Sequence, residues 1–211
     1  DNIGAMRAFL KKEGLAENTI FIFTTDNGTS SGAHIHNNGM RGRKGSEYDG
    51  GHRVPFIARW PGRIPAGRTA DQTICLTDLL ATAAAITESK IPDNAGEDSF
   101  NILPALLGGN EPVREYTLHQ TISLALAIRQ GDWKYLDHQG SGGNNYHRSG
   151  EWGMKQFALP EKALGAPGQL YNLKTDPGET TNLYLEETER AQMLKTKLEE
   201  FKRTGRSAPR K

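Results

Sequence analysis

Apolar residues at Ile3, Met6, Phe9 and Leu10 recur at helical spacing and predict a helix over residues 3–13. Gly14 stops it, in the role glycine fills just past a helix C-terminus. The period then changes. Asn18 to Thr25 is a run of β-branched and aromatic residues without a polar face, the pattern of a parallel strand covered on both sides. A long glycine-rich loop follows to about His52, and Val54 to Trp60 predicts another strand. Pro61-Gly62 and Pro65-Ala66-Gly67 turn the chain. Thr77 or Asp78 caps a helix reaching about Thr87, with Leu79, Leu80, Ala83 and Ile86 on its inner face. Helix alternating with strand predicts an α/β sheet.

From about Pro112 the segments shorten. Glu115 to Gln120, Leu124 to Arg129, Trp133 to Leu136 and Leu170 to Leu173 predict strands, with Gly131-Asp132 as a hairpin turn. Glu186 to Phe201 predicts a last helix, with Ala191, Leu194, Leu198 and Phe201 on one face. The expectation is an α/β part over 1–111 and a small antiparallel sheet with one helix over 112–211. Gly140 to Gly153 is too polar and glycine-rich for a core and predicts a surface loop beside a site. No internal repeat is evident.

Composition narrows the function classes. The 211 residues carry a formal charge of +1, with basic residues dispersed except in the tail from Lys202, so a nucleic-acid surface is not expected. No apolar run approaches the roughly 20 residues a membrane helix needs. The single cysteine, Cys75, excludes an internal disulfide. Twenty-four glycines and ten prolines imply many loops, as in an enzyme whose site is built from loops on a sheet.

The chemistry concentrates in two places. Asp26-Asn27-Gly28 ends the apolar run Ile20 to Phe23, as when a strand delivers oxygen ligands to the carboxyl edge of an open sheet. Asp26 and Asn27 offer hard oxygens suited to Ca²⁺ or Mg²⁺; the same tripeptide is also good turn chemistry. Asn27-Gly28-Thr29 matches a glycosylation sequon, which excludes the ligand reading, and the ligand is preferred. Farther on, Arg41, Arg43 and Lys44 sit among glycines that let backbone approach an anion closely. Metal oxygens beside an anion clamp point to a sulfate or phosphate ester. For Lys44 alone, a solvated loop lysine is the plain alternative.

Together these segments resemble the type I sulfatases of the alkaline-phosphatase superfamily. In that family a strand ends in Ser/Thr-Asp-Asn-Gly, matched by Thr25 to Gly28. A loop Arg-Gly-x-Lys-Gly-x-x-x-(Glu/Asp)-Gly-Gly-x-Arg-x-Pro follows, nearly matched by Arg41 to Pro55. The likeness continues through Arg59-Trp60-Pro61-Gly62, Leu76 to Leu80, Arg129 to Tyr135 and Gln169 to Glu179. It implies the C-terminal part of an alkaline-phosphatase-like sandwich plus a small antiparallel subdomain. It also implies Asp26 and Asn27 as ligands of Ca²⁺ or Mg²⁺ and Lys44 as the residue holding the substrate sulfate. The family's nucleophile is a formylglycine made from Cys or Ser in Cys/Ser-x-Pro-x-Arg. Cys75 lacks the following Pro and Arg, and Ser207-Ala-Pro-Arg-Lys211 ends in Lys. The chain therefore reads as the C-terminal half of a sulfatase, with the nucleophile and further ligands in an N-terminal half. The implied substrate is a sulfated carbohydrate or aryl sulfate, and the implied location periplasmic or secreted.

A phosphodiesterase or phosphonate hydrolase of the same superfamily, and a non-catalytic binding fragment, are the rival readings. His52 and His119 are candidates for substrate contact, with ordinary hydrogen-bonded histidine as the alternative. Arg53 is expected to pair with Asp49 or Glu47. His34 and His36 form a His-x-His pair too sparse to define zinc. Trp60 and Trp133 read as core aromatics, and Trp152 as a ring that could stack on a sugar.

Overall fold

The computed structural model describes residues 1–30, 37–121, 123–143 and 163–209. His34, His36, Trp152 and most of the loop expected at 140–153 lie outside the described residues. The chain forms two compact units that do not follow chain order: residues 1–25 with 55–113, and residues 26–54 with 114–211. The glycine-rich loop thus packs with the C-terminal segments.

In the first unit, helix α1 (Asn2–Lys12) ends at Glu13, and Gly14 takes the left-handed backbone (φ +69°) the sequence called for. A 3-10 turn (Ala16–Asn18) leads into strand β1 (Phe21–Thr24), which pairs with β2 (Phe56–Arg59). The pairing is antiparallel, Phe21 opposite Arg59 and Thr24 opposite Phe56, which corrects the parallel, doubly covered strand expected from the sequence. A continuous apolar run reports that both faces are hydrophobic, not strand direction. Here those faces are partly open: Phe23 and Ile57 are exposed, as are Ile3, Met6 and Phe9 on α1.

Helix α3 (Asp78–Ile86) follows a four-residue helix α2 (Asp49–His52) of the second unit. Its inner face also differs from expectation. Asp78, Ala81 and Thr82 are buried, whereas Leu80 is 50% exposed. The polar residues face inward because backbone needs them there. The Asp78 carboxylate accepts from the amides of Cys75 (2.7 Å) and Phe100 (2.9 Å), and the Thr82 hydroxyl accepts from Ile102 (3.0 Å). Thr77 makes no side-chain cap; its hydroxyl donates to the Asp98 carbonyl instead. A short helix α4 (Leu103–Leu106) completes the unit.

The second unit carries a four-stranded antiparallel meander, β3 (Tyr116–Gln120), β4 (Leu126–Gln130), β5 (Trp133–Leu136) and β6 (Gln169–Asn172), in sequence order. Gly131, at φ +55°, begins the two-residue turn that sets Gln130 opposite Trp133. Helix α5 (Thr188–Thr204) covers one face with Ala191, Leu194 and Leu198 against Ile128, Tyr135 and Leu170. Gly205 (φ +69°) terminates it. Trp133 packs against this core with the Arg190 guanidinium over its ring. On the other side, Ala127, Leu136, Tyr171 and Leu173 cluster with Tyr48. That second cluster ties the glycine-rich loop to the sheet.

Candidate active site

Backbone contacts first bring the two motifs together. The Gly28 amide donates to the Gly51 carbonyl (2.9 Å) and the Lys44 amide to the Thr29 carbonyl (3.0 Å). No side chain fits at this crossing: a Cβ on Gly28 would lie 1.9 Å from the Gly50 oxygen, and one on Gly51 2.2 Å from the Ser46 oxygen. The glycines of the basic loop therefore permit close backbone packing. Asn37 stabilises the bend from within, donating to the carbonyls of Met40 (2.7 Å) and Gly42 (2.6 Å).

A buried ion network holds this loop on the sheet. Lys134 of β5 is wholly buried, its Nζ 2.8 Å from Asp49 Oδ1 and 2.8 Å from Glu179 Oε1. Glu179 Oε2 accepts from the Asp49 amide (2.7 Å), so one carboxylate binds both the strand and the loop. Burial alone would raise the Asp49 pKa, but the Lys134 ammonium and His52 hold it far below the usual range. Burial works against the Lys134 charge too; Glu179 and Asp49 outweigh it and keep the amine protonated. Arg53 pairs with Asp49 Oδ2 (3.4 Å), one of its two expected partners. Arg41 donates to the Glu179 carbonyl (2.7 Å) and the Tyr171 hydroxyl (3.2 Å) and lies over the Tyr48 ring.

Above this network opens a cavity of about 610 Å³. Asp26, Asn27, Lys44, His52 and His119, singled out by the sequence for metal or substrate, line it together with Arg43 and Glu47, whereas Arg41 of the expected anion clamp does not. The two imidazoles stack, ring centres 3.8 Å apart and planes 28° from parallel. Burial, then the Lys134 charge, lowers His52 to about 4; burial, then His52, lowers His119 well below the ordinary value. The pair is neutral at pH 7, a flat uncharged part of the cavity wall. Cys75 is a free cysteine of the other unit.

Sequence reasoning missed Lys134 and Glu179 as a clamp and Glu47 as a cavity residue. A lysine between Trp133 and Tyr135 in a strand is the one available signal for the first, because a charge amid aromatics calls for a buried partner. Burial, opposed by Lys134, raises the Glu47 pKa from 4.5 to about 7. A carboxyl that binds its proton more tightly when folded stabilises the fold below about pH 4.5 and loses that stability as pH rises through 7. The melting temperature should therefore fall between about pH 5 and 8, and Glu47→Gln should flatten the fall by an amount worth up to about 3 kcal/mol. An unchanged slope in melting curves of the variant would remove Glu47 as its source.

Comparison with known proteins identifies the family. Residues 1–89 match the sulfatase family model. An N-acetylgalactosamine-6-O-sulfatase of Bacteroides thetaiotaomicron is 32% identical over 95% of this chain, and human arylsulfatase A is 33% identical over 86%. A solved 6S-sulfatase from the glycosaminoglycan metabolism of B. thetaiotaomicron superposes with a TM-score of 0.77 at 30% identity, covering 95% of this chain and 42% of its own. The chain belongs to the sulfatase family and has the C-terminal part of the alkaline-phosphatase-like fold. It spans 39% of the first relative and 36% of the second.

Proposed function

We propose that the protein carrying this chain is a sulfuric ester hydrolase acting on a sulfated carbohydrate. One observation carries the reading: an oxygen-donor pair and a lysine from separate motifs line a single cavity. The relatives' names, N-acetylgalactosamine-6-O-sulfatase and arylsulfatase A, favour a sulfate ester and a sugar. In this reading Lys44 holds a sulfate oxygen and screens charge developing on the leaving oxygen. His52 and His119 contact the sugar. Asp26 and Asn27 fit a hard divalent cation, Ca²⁺ or Mg²⁺, by donor chemistry, and supply part of its shell. Among the described residues no cluster of three or more His, Cys, Asp or Glu side chains completes it. When bound, such a cation polarises the sulfate.

Residues 1–111 are read as the closing part of the catalytic domain and 112–211 as the C-terminal subdomain. The N-terminal half supplies the formylglycine and the remaining ligands, and covers the open apolar faces around Phe23, Ile57 and α1. The protein is read as periplasmic or secreted; among the described residues no helix is long and apolar enough to cross a membrane.

The full-length protein should hydrolyse an aryl sulfate and N-acetylgalactosamine 6-sulfate, while these 211 residues alone hydrolyse neither. Ca²⁺ at millimolar concentration should raise the melting temperature of the full-length protein clearly and that of the chain alone little. Asp26→Ala should abolish the gain, because the carboxylate supplies charge as well as an oxygen, and Asn27→Asp should be milder. Calorimetry showing unaltered Ca²⁺ binding by full-length Asp26→Ala would overturn the metal assignment.

A further inference from the structure

Glu47 is the least expected group in the cavity wall. It is 1% exposed, yet among the described residues neither carboxylate oxygen has a hydrogen-bond partner of ordinary geometry, and the Thr121 backbone only helps to favour its charge. Buried polar groups are nearly always paired, because an unpaired one costs the fold its lost hydration. The nearest ionised groups do not relieve it. Lys134 favours its charge, but the Lys134 amine already bonds Asp49 and Glu179, and Glu179 repels it. Arg53, the residue of its own loop expected to pair with Asp49 or Glu47, pairs with Asp49. The backbone pins the side chain in place: the Glu47 amide donates to the Ser141 carbonyl (2.9 Å). A Cβ on Gly142 would come within 3.0 Å of Glu47 Cγ, so glycine there makes room for the carboxylate stem.

Two further unpartnered polar atoms share this wall, Nδ1 of His52 and Nε2 of His119. All three residues line the cavity that holds Lys44, Asp26 and Asn27. A buried carboxylate and two imidazole nitrogens without partners of ordinary geometry, beside an anion-binding residue, describe half of a hydrogen-bonding arrangement whose other half is a ligand.

We propose that Glu47 is a specificity-determining residue whose carboxylate accepts a hydrogen bond from a ring hydroxyl or amide N–H of the sulfated sugar. The proposal rests on the sulfatase reading. It requires a substrate with a donor on the ring beside the ester, which a simple aryl sulfate lacks. A site built to bond a substrate donor discriminates strongly against analogues without it, since its own buried group is then left unpaired.

The test compares full-length wild type with Glu47→Ala and Glu47→Gln, using N-acetylgalactosamine 6-sulfate and 4-nitrophenyl sulfate. The ratio of kcat/KM values, sugar over aryl sulfate, should fall at least about 30-fold in Glu47→Ala and less in Glu47→Gln, which keeps one acceptor. At pH 8 both variants should melt at or above the wild-type temperature, because each removes an unpaired buried charge. A preserved ratio, with wild type active on both substrates, overturns the proposal and leaves the sulfatase reading standing. A melting temperature lowered by more than about 5 °C in both variants also overturns it, since Glu47 would then be structural. A wild-type protein inactive on both esters removes the sulfatase reading, and the proposal with it.

Discussion

Lys44→Ala in the full-length protein should lower kcat/KM for a sulfate ester by roughly 10²–10³, the scale of losing one group that stabilises charge on a reacting oxygen. The melting temperature should stay nearly unchanged. These two halves of the prediction rest on different atoms of the residue. The amide of Lys44 donates to the Thr29 carbonyl and helps hold the basic loop beside the Asp26-Asn27 turn, and alanine keeps that bond. The side chain is exposed and lines the cavity. Removing it therefore takes a cation out of the site without opening a void in the core. Steady-state kinetics and thermal unfolding of the same preparation decide between roles. A large loss of stability with near-normal activity would make Lys44 a structural loop residue.

How much of this was legible in the sequence varies with the physics behind each feature. The helices and the meander were, because a face of Ala191, Leu194 and Leu198, or strands separated by Gly131-Asp132, reflect local periodicity. Boundaries moved by a few residues: the strand expected at Leu124 begins at Leu126, with Leu124 itself at φ +63°. Strand direction in the first unit was not legible, since an apolar run looks alike in parallel and antiparallel sheets. Nor was the inner face of α3. Leu79 and Leu80 look like core residues, but the amides of Cys75, Phe100 and Ile102 need the acceptors of Asp78 and Thr82. Demand of that kind, two of its three amides lying 20 or more residues away, leaves no periodic trace.

The site followed the same division. Asp26, Asn27 and Lys44 belong to compact motifs, and the cavity gathers them with His52 and His119. Its support is non-local: Lys134 lies 85 residues from Asp49 and 45 from Glu179. Those residues stood in the stretches that carried the family resemblance, yet nothing within each stretch names its partner. Glu47 was visible only as a candidate for Arg53, which chose Asp49.

Lys134→Ala should be the most destabilising of these substitutions, costing about 3–5 kcal/mol, as expected when one member of a buried ion pair is removed and the others stay charged. The reason lies in what remains. Asp49 and Glu179 are each almost wholly buried, and among the described residues Asp49 would be left with the His52 imidazole at 3.5 Å and the largely exposed Arg53 at 3.4 Å. Glu179 would keep its bond from the Asp49 amide but lose its ammonium. Lowering the pH should reduce the damage, because the orphaned carboxylates can then fold protonated. In the wild type the sign is opposite for Asp49: its pKa is depressed, so its contribution is present above its unfolded value and fades as acid is added through the folded one. Combining Lys134→Met with Glu179→Gln should recover part of the loss, since the pair of changes leaves one buried carboxylate instead of two. Melting curves of the wild type, Lys134→Ala, Lys134→Met and the double variant at about pH 5 and pH 8 separate the possibilities. If the double variant is no more stable than Lys134→Met alone, or if the Lys134→Ala loss is the same at both values, the network is not held by the charges assigned to it, and packing around the lysine stem must carry the loop instead.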